Sequence, residues 1–213
     1  MMKPRRWKMP IVELRGNLDL RKAMRKFTPD LEKELRKELA LAMKPVVKQA
    51  RSFVPSTSPM RNWNPRQMSE ASFPHYNAST IIKGITYSTS ASKIGKNGFT
   101  SQARIMNKSR VGAIYETAGS KNPDGQPWVG PKGSTGHRYS HSYNKDAGKF
   151  FIRALPPLVH AKVGTGRLIY RAWELNQGRS MGAAMKAIDN AKQKFERYTA
   201  FNRGIKAETK AAA

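Results

Sequence analysis

No cysteine occurs in this 213-residue chain, which rules out disulfides and thiolate metal sites as a means of holding the fold. Acidic residues are scarce: 14 Asp and Glu stand against 40 Lys and Arg, for a formal net charge of +26. A charge of that size makes the chain repel itself unless an anionic partner offsets it. Nucleic acid, an acidic protein surface and an anionic membrane are the three candidate sources. Long hydrophobic runs are missing too. No apolar stretch approaches the ~20 residues of a spanning helix, so a spanning helix is excluded; no membrane partner is expected. The opening MMKPRRWKMP is basic but lacks the apolar stretch of a signal peptide. The chain is expected to be made and to stay in a cytoplasm, or in a particle assembled there. With 38% hydrophobic residues and a mean hydropathy of −0.66, part of the length should lie outside the core. Four Trp and 9% aromatics argue against disorder throughout. The length suits one domain with arms and long loops.

What is present divides accordingly. Residues 1–17 read as an extended basic arm: Lys3, Arg5, Arg6, Lys8 and Arg15 alternate with Trp7, Pro4 and Pro10, and both prolines disfavour helix. The arm is either a solvated tail or a strap laid on a neighbouring subunit or on DNA, with Trp7 as its anchor. Residues 18–201 read as one α+β domain, in which long amphipathic helices pack on a small antiparallel β-sheet. Residues 202–213 read as a flexible tail. Leu18 to Phe27 can form a short helix. Thr28 is a good N-cap, Pro29 suits the first helical position, and Asp30 and Glu32 fall in the first turn of the next helix. Leu31, Leu35, Leu39, Ala42, Val46, Ala50 and Phe53 then recur at helical spacing, with Lys33, Arg36, Lys37 and Lys44 pointing elsewhere. Pro45 should kink this helix and Pro55 end it.

Two long loops are expected, at about 55–79 and 119–146, each long enough to suggest a use. Ile81 to Thr89 and Phe99 to Met106 alternate as strands do, joined by a hairpin turn at Gly95 to Gly98. Further on, Ala147 to Leu155 should form a short helix burying Phe150, Phe151 and Leu155. Leu168 to Leu175 should then be helical, with Gly178 as its stop, and a last helix should follow from about Ser180 with Met181, Met185, Ile188, Ala191, Phe195 and Tyr198 on one face.

The stretch Asn107 to Gly119, NKSRVGAIYETAG, organises the middle of the chain. It reads as a strand handing over to a helical turn that plugs the sheet, with Ser109 as cap and Gly119 as stop. Ile114 and Tyr115 should fasten this plug, followed by Glu116. Gly119 should release the chain into the second long loop, where Trp128, His137 and Tyr139 could reach a neighbouring subunit or DNA.

Candidate chemistry is thin. His137 and His141 are four apart but sit in a loop, without an HExxH motif, so no metal is expected. GPKGSTG at Gly130 to Gly136 lacks the Gly-Lys-Ser/Thr order of a phosphate loop. GTG at Gly164 to Gly166 reads as a turn leading into a helix. Glu32, Glu34 and Glu38 read as surface charge. Paired-acid chemistry would need Asp124, Asp146 or Glu116 to converge, and nothing demands it. No cofactor is expected and an enzyme is disfavoured. The basic residues are dispersed, with no recognisable DNA-binding motif, which leaves sequence-independent phosphate contacts as the nucleic-acid reading.

The order LRKAMRKFTPDLEKELRKELALAMKPVVKQAR, KGITYS, GFTSQARIMNKS, AIYETAG, NKDAGKFFIRAL and GRLIYRAWELNQG resembles the neck and tail-completion proteins of long-tailed bacteriophages, particularly those of actinobacterial phages. The resemblance spans most of residues 18–195 and leaves out the arm. Ala113, Tyr115, Glu116 and Gly119 fall on the family's Ala-x-Tyr-x-Glu-x-Gly-like plug, here with its own spacing. The resemblance implies a small α+β fold and a virion structural subunit, repeated in a ring at the head-to-tail joint. Its partners would be copies of itself, neighbouring connector and tail proteins, and possibly genomic DNA. The alternative is a general nucleic-acid-binding protein.

Overall fold

The computed structural model describes residues 11–16, 18–64, 73–90, 100–130, 140 and 142–211. The class is α+β, as expected. In chain order the described elements are β1 (Ile11–Gly16), α1 (Leu18–Phe27), α2 (Pro29–Ser52), α3 (Ala78–Gly84), β2 (Ile85–Ser88), β3 (Thr100–Asn107), α4 (Arg110–Thr117), α5 (Ala147–Ala154), β4 (Val159–Ala161), β5 (Gly164–Gly166) and α6 (Ile169–Ala211). One sheet has the order β1-β3-β2, and β4 pairs antiparallel with β5, Val159 opposite Gly166. The arm residues Lys3, Arg5, Arg6, Trp7 and Lys8, the turn at Gly95 to Gly98, His137, Tyr139 and His141 lie outside the described residues.

Local signals place α2 as expected. Pro29 opens it, Asp30 and Glu32 occupy its positive first turn, and Leu35, Leu39, Ala42, Val46 and Ala50 are buried. The expected side-chain cap from Thr28 is not made: its hydroxyl donates back to the Met24 carbonyl at 3.3 Å, and its backbone carbonyl accepts from the Leu31 amide at 3.1 Å. The helix continues through Pro45 and stops at Ser52, short of Pro55. β3 buries Ser101, Ala103 and Ile105, the face its alternation marks.

Several expectations need correction. The segment read as a strand from Ile81 begins as helix α3, because Asn77 Oδ1 accepts from the Thr80 amide at 2.9 Å and nucleates a turn; only Ile85 to Ser88 is strand. In α5, Phe150 is exposed while Phe151 turns inward, since adjacent helical residues diverge by ~100° and one face of a short helix meets the core. The two expected C-terminal helices and the tail are one 43-residue helix, α6. Gly178 does not end it: neither it nor Gly182 adopts the positive φ of a helix stop. The buried face of α6 past that point is Ser180, Ala184, Ala187 and Ala191, and Met181, Met185 and Tyr198 are exposed.

The chain falls into two compact units. One comprises Met1–Val12, Val46–Thr86 and Ile105–Leu175; the other Glu13–Pro45, Tyr87–Arg104 and Asn176–Ala213. The first is centred on Trp63, fully buried, whose ring meets Phe151 at 4.9 Å, Tyr76 at 5.3 Å, Phe73 at 6.1 Å and Tyr115 at 6.5 Å between centroids. The Trp63 indole donates to the Pro74 carbonyl at 2.8 Å, so the loop after α2 folds back as part of this core. The second unit has a core of Met24, Leu35, Leu39, Met43, Ala184, Ala187 and Ala191.

A buried carboxylate also sits in the second unit, and it corrects the reading of Glu32 as surface charge. Glu32 Oε1 accepts from Arg21 at 2.8 Å and Arg36 at 2.7 Å, with Arg25 at 3.6 Å. Arg21 also donates to the carbonyl and side-chain oxygens of Gln102, both at 3.2 Å. Burial would raise the Glu32 pKa, but the hydrogen bonds and charges of Arg21 and Arg36 outweigh it and hold the carboxyl below its ordinary value.

Candidate functional site

The stretch from Asn107 to Gly119 lies wholly in the first unit, and each part has a visible cause. β3 ends at Asn107, whose Oδ1 accepts from the Ser109 amide at 3.0 Å and its hydroxyl at 2.6 Å. Ser109 Oγ then accepts from the Gly112 amide at 3.1 Å, capping α4 as expected. Ile114, Tyr115 and Glu116 are all buried. Tyr115 stacks on Trp63 and approaches Tyr76 at 6.1 Å. After α4, Gly119 takes φ +85°, and a side chain there would strike Ile152 of α5.

Glu116 is the centre of this arrangement. It has no exposed surface, and its oxygens accept from the amides of Leu168 at 2.6 Å and Tyr170 at 3.1 Å. These amides belong to the start of α6, where backbone donors otherwise lack partners and the helix dipole is positive. Burial pushes the carboxyl up to about 7, against the lowering pull of the Tyr170, Leu168 and Ile169 amides and the Arg167 charge. Gly166 is glycine for a steric reason: a side chain there would collide with this carboxylate and with the Tyr170 ring.

Arg167 completes the clasp from the other side. It donates to the carbonyls of Tyr115 at 3.1 Å and Ala118 at 2.8 Å, and to that of Pro156. Residues 166–170 therefore hold the C-terminal end of the plug, while Asn107 and Ser109 hold its start. Glu116 is committed to backbone amides and is closed to solvent, which suits fastening a helix.

Sequence reasoning marked Ile114, Tyr115, Glu116 and Gly119 but missed Arg167, Trp63 and Asn107. One signal was available: an acid inside the apolar run VGAIYE needs a buried partner. Among the outward candidates, Trp128 is partly exposed, with its indole donating to the Ser142 carbonyl at 2.8 Å. The Val129 amide donates to the Ser140 carbonyl at 3.2 Å and the Ser140 amide to the Pro127 carbonyl at 2.7 Å.

Among the described residues, no group of three or more His, Cys, Asp or Glu could hold a metal ion, and no helix is long and apolar enough to cross a membrane. No family model, curated protein or solved structure matches this chain.

Proposed function

We propose that this chain is a non-enzymatic structural subunit of the head-to-tail joint of a long-tailed bacteriophage, forming a ring that completes or docks the tail. The observation that carries the reading is the ordered set of segments resembling neck and tail-completion proteins. Its central motif fits a structural role, with Tyr115 buried, Glu116 closed off as a helix cap and Gly119 turning the chain at the end of α4. A ring subunit makes heterologous contacts that close by rotation. The exposed Trp128 and the arm bearing Trp7 are the proposed reach to neighbours, and the virion is the proposed location. The net charge of +26 suits a DNA passage or acidic partner rings. Light scattering on the purified chain, alone and mixed with candidate tail and connector proteins, tests this. Closed oligomers or coassembly are expected, and a monomer that joins none of them argues against it.

The same charge supports a second reading, sequence-independent nucleic-acid binding. Tight binding of duplex DNA by the monomer, with a steep salt dependence and no ring, would favour that reading.

A further inference from the structure

Within the unit built from Glu13–Pro45, Tyr87–Arg104 and Asn176–Ala213, an open cleft of about 390 Å³ runs between α2 and α6. Its floor is made of small residues, Ala42, Ala187 and Ser180, all buried, with Ala183 exposed on the wall. Leu41 lines it and is 60% exposed, an apolar side chain with no cover. Arg179 and Lys186 line the α6 side, both exposed and without an ion-pair partner among the described residues, and they outnumber the one carboxylate of the lining, Glu38 on α2. Ser180 adds a second, independent observation. Its hydroxyl is buried at the cleft and has no hydrogen-bond partner, a standing cost that an occupant could relieve.

We infer that this cleft is the docking site for an acidic, amphipathic segment of a different protein. An apolar side chain of that segment covers Leu41 and fills the alanine floor. Its carboxylates meet Arg179 and Lys186, and a polar group reaches Ser180. Duplex DNA fits poorly, because it offers no apolar side chain to bury and the axes of adjacent helices lie only ~8–10 Å apart. A second copy of a chain carrying +26 brings the wrong charge. That the segment belongs to an adjoining ring rests on the head-to-tail reading; the chemistry of the cleft does not.

The test uses the purified full chain and synthetic helical peptides, read by fluorescence anisotropy. One peptide carries leucines at i, i+3, i+4 and i+7 among glutamates; its control has serine for leucine at equal charge. The leucine peptide should bind at least ~10-fold tighter than the control. Ala183→Trp, which fills the cleft from an exposed position, should remove that difference, and Leu41→Ser should shrink it. Arg179→Glu with Lys186→Glu should weaken binding by a further ~10-fold or more. Melting curves establish that each variant is folded, and Leu41→Ser serves if Ala183→Trp is not. Equal binding of both peptides, or unchanged binding by folded Ala183→Trp, overturns the inference. So does loss of self-association or of duplex-DNA binding in Ala183→Trp, which would assign the cleft to another occupant. None of these readouts depends on phage particles, so the inference and the proposed function can fail separately.

Discussion

Glu116 and Leu168 lie 52 positions apart in the chain and are joined by a 2.6 Å hydrogen bond from the Leu168 amide to the Glu116 carboxylate. A side chain in the last turn of α4 thereby supplies the cap at which α6 begins. One buried acid thereby joins the plug to the start of α6 within the first unit.

That acid should make stability depend on pH. Its folded pKa of about 7 lies above the ordinary 4.5, so its contribution is complete below about 4.5 and is lost as pH rises through 7. The limit is about 3 kcal/mol. Urea denaturation of wild type and Glu116→Gln at pH 5 and pH 8 checks it. The wild type should lose stability relative to Glu116→Gln on going to pH 8, and parallel profiles would contradict the assignment.

Tyr115→Ala should cost about 3 kcal/mol, because it empties a buried site against Trp63 and Tyr76. Trp63→Ala should cost at least as much, since Trp63 meets four other rings of that unit. Chemical denaturation measures both. A Tyr115→Ala protein as stable as wild type, with unchanged assembly, would remove the plug from its central place.

Glu32→Ala should be severely destabilising, by about 3 kcal/mol or more, because it leaves the buried Arg21 guanidinium without its carboxylate. The pH sign is opposite to that of Glu116. A carboxyl held below its ordinary value stabilises above that value, and the contribution disappears as pH falls through the lowered one. Acid titration of wild type against Glu32→Gln should show the wild type losing its advantage in that window.

Gly178→Ala and Gly182→Ala should each stabilise by about 1 kcal/mol. Both glycines lie inside α6, and an added β-carbon finds nothing within 4 Å at either. Thermal melts decide it; destabilisation at either position would mean the helix does not run unbroken there.

Where the determinants are local, the sequence reads correctly. Pro29 with two acids marks the start of α2, Ser109 caps α4, Gly119 turns the chain at its end, and Ser101, Ala103 and Ile105 mark the inner face of β3. Ile81 and Ile82 read as strand because a short apolar run serves helix and strand alike, and the Asn77 cap makes them helix. The continuity of α6 was hidden by two glycines that interrupt its propensity without ending it. Burial of Glu32 and Glu116 depends on Arg21, Gln102 and Leu168, whose approach is tertiary and leaves no periodic trace.

The central claim is membership of the head-to-tail joint, and electron microscopy of phage particles assembled with and without this chain tests it most directly. The account predicts filled heads and separate tails when the chain is missing, and a ring of it at the neck when it is present. Joined, infectious particles assembled in its absence would contradict the account.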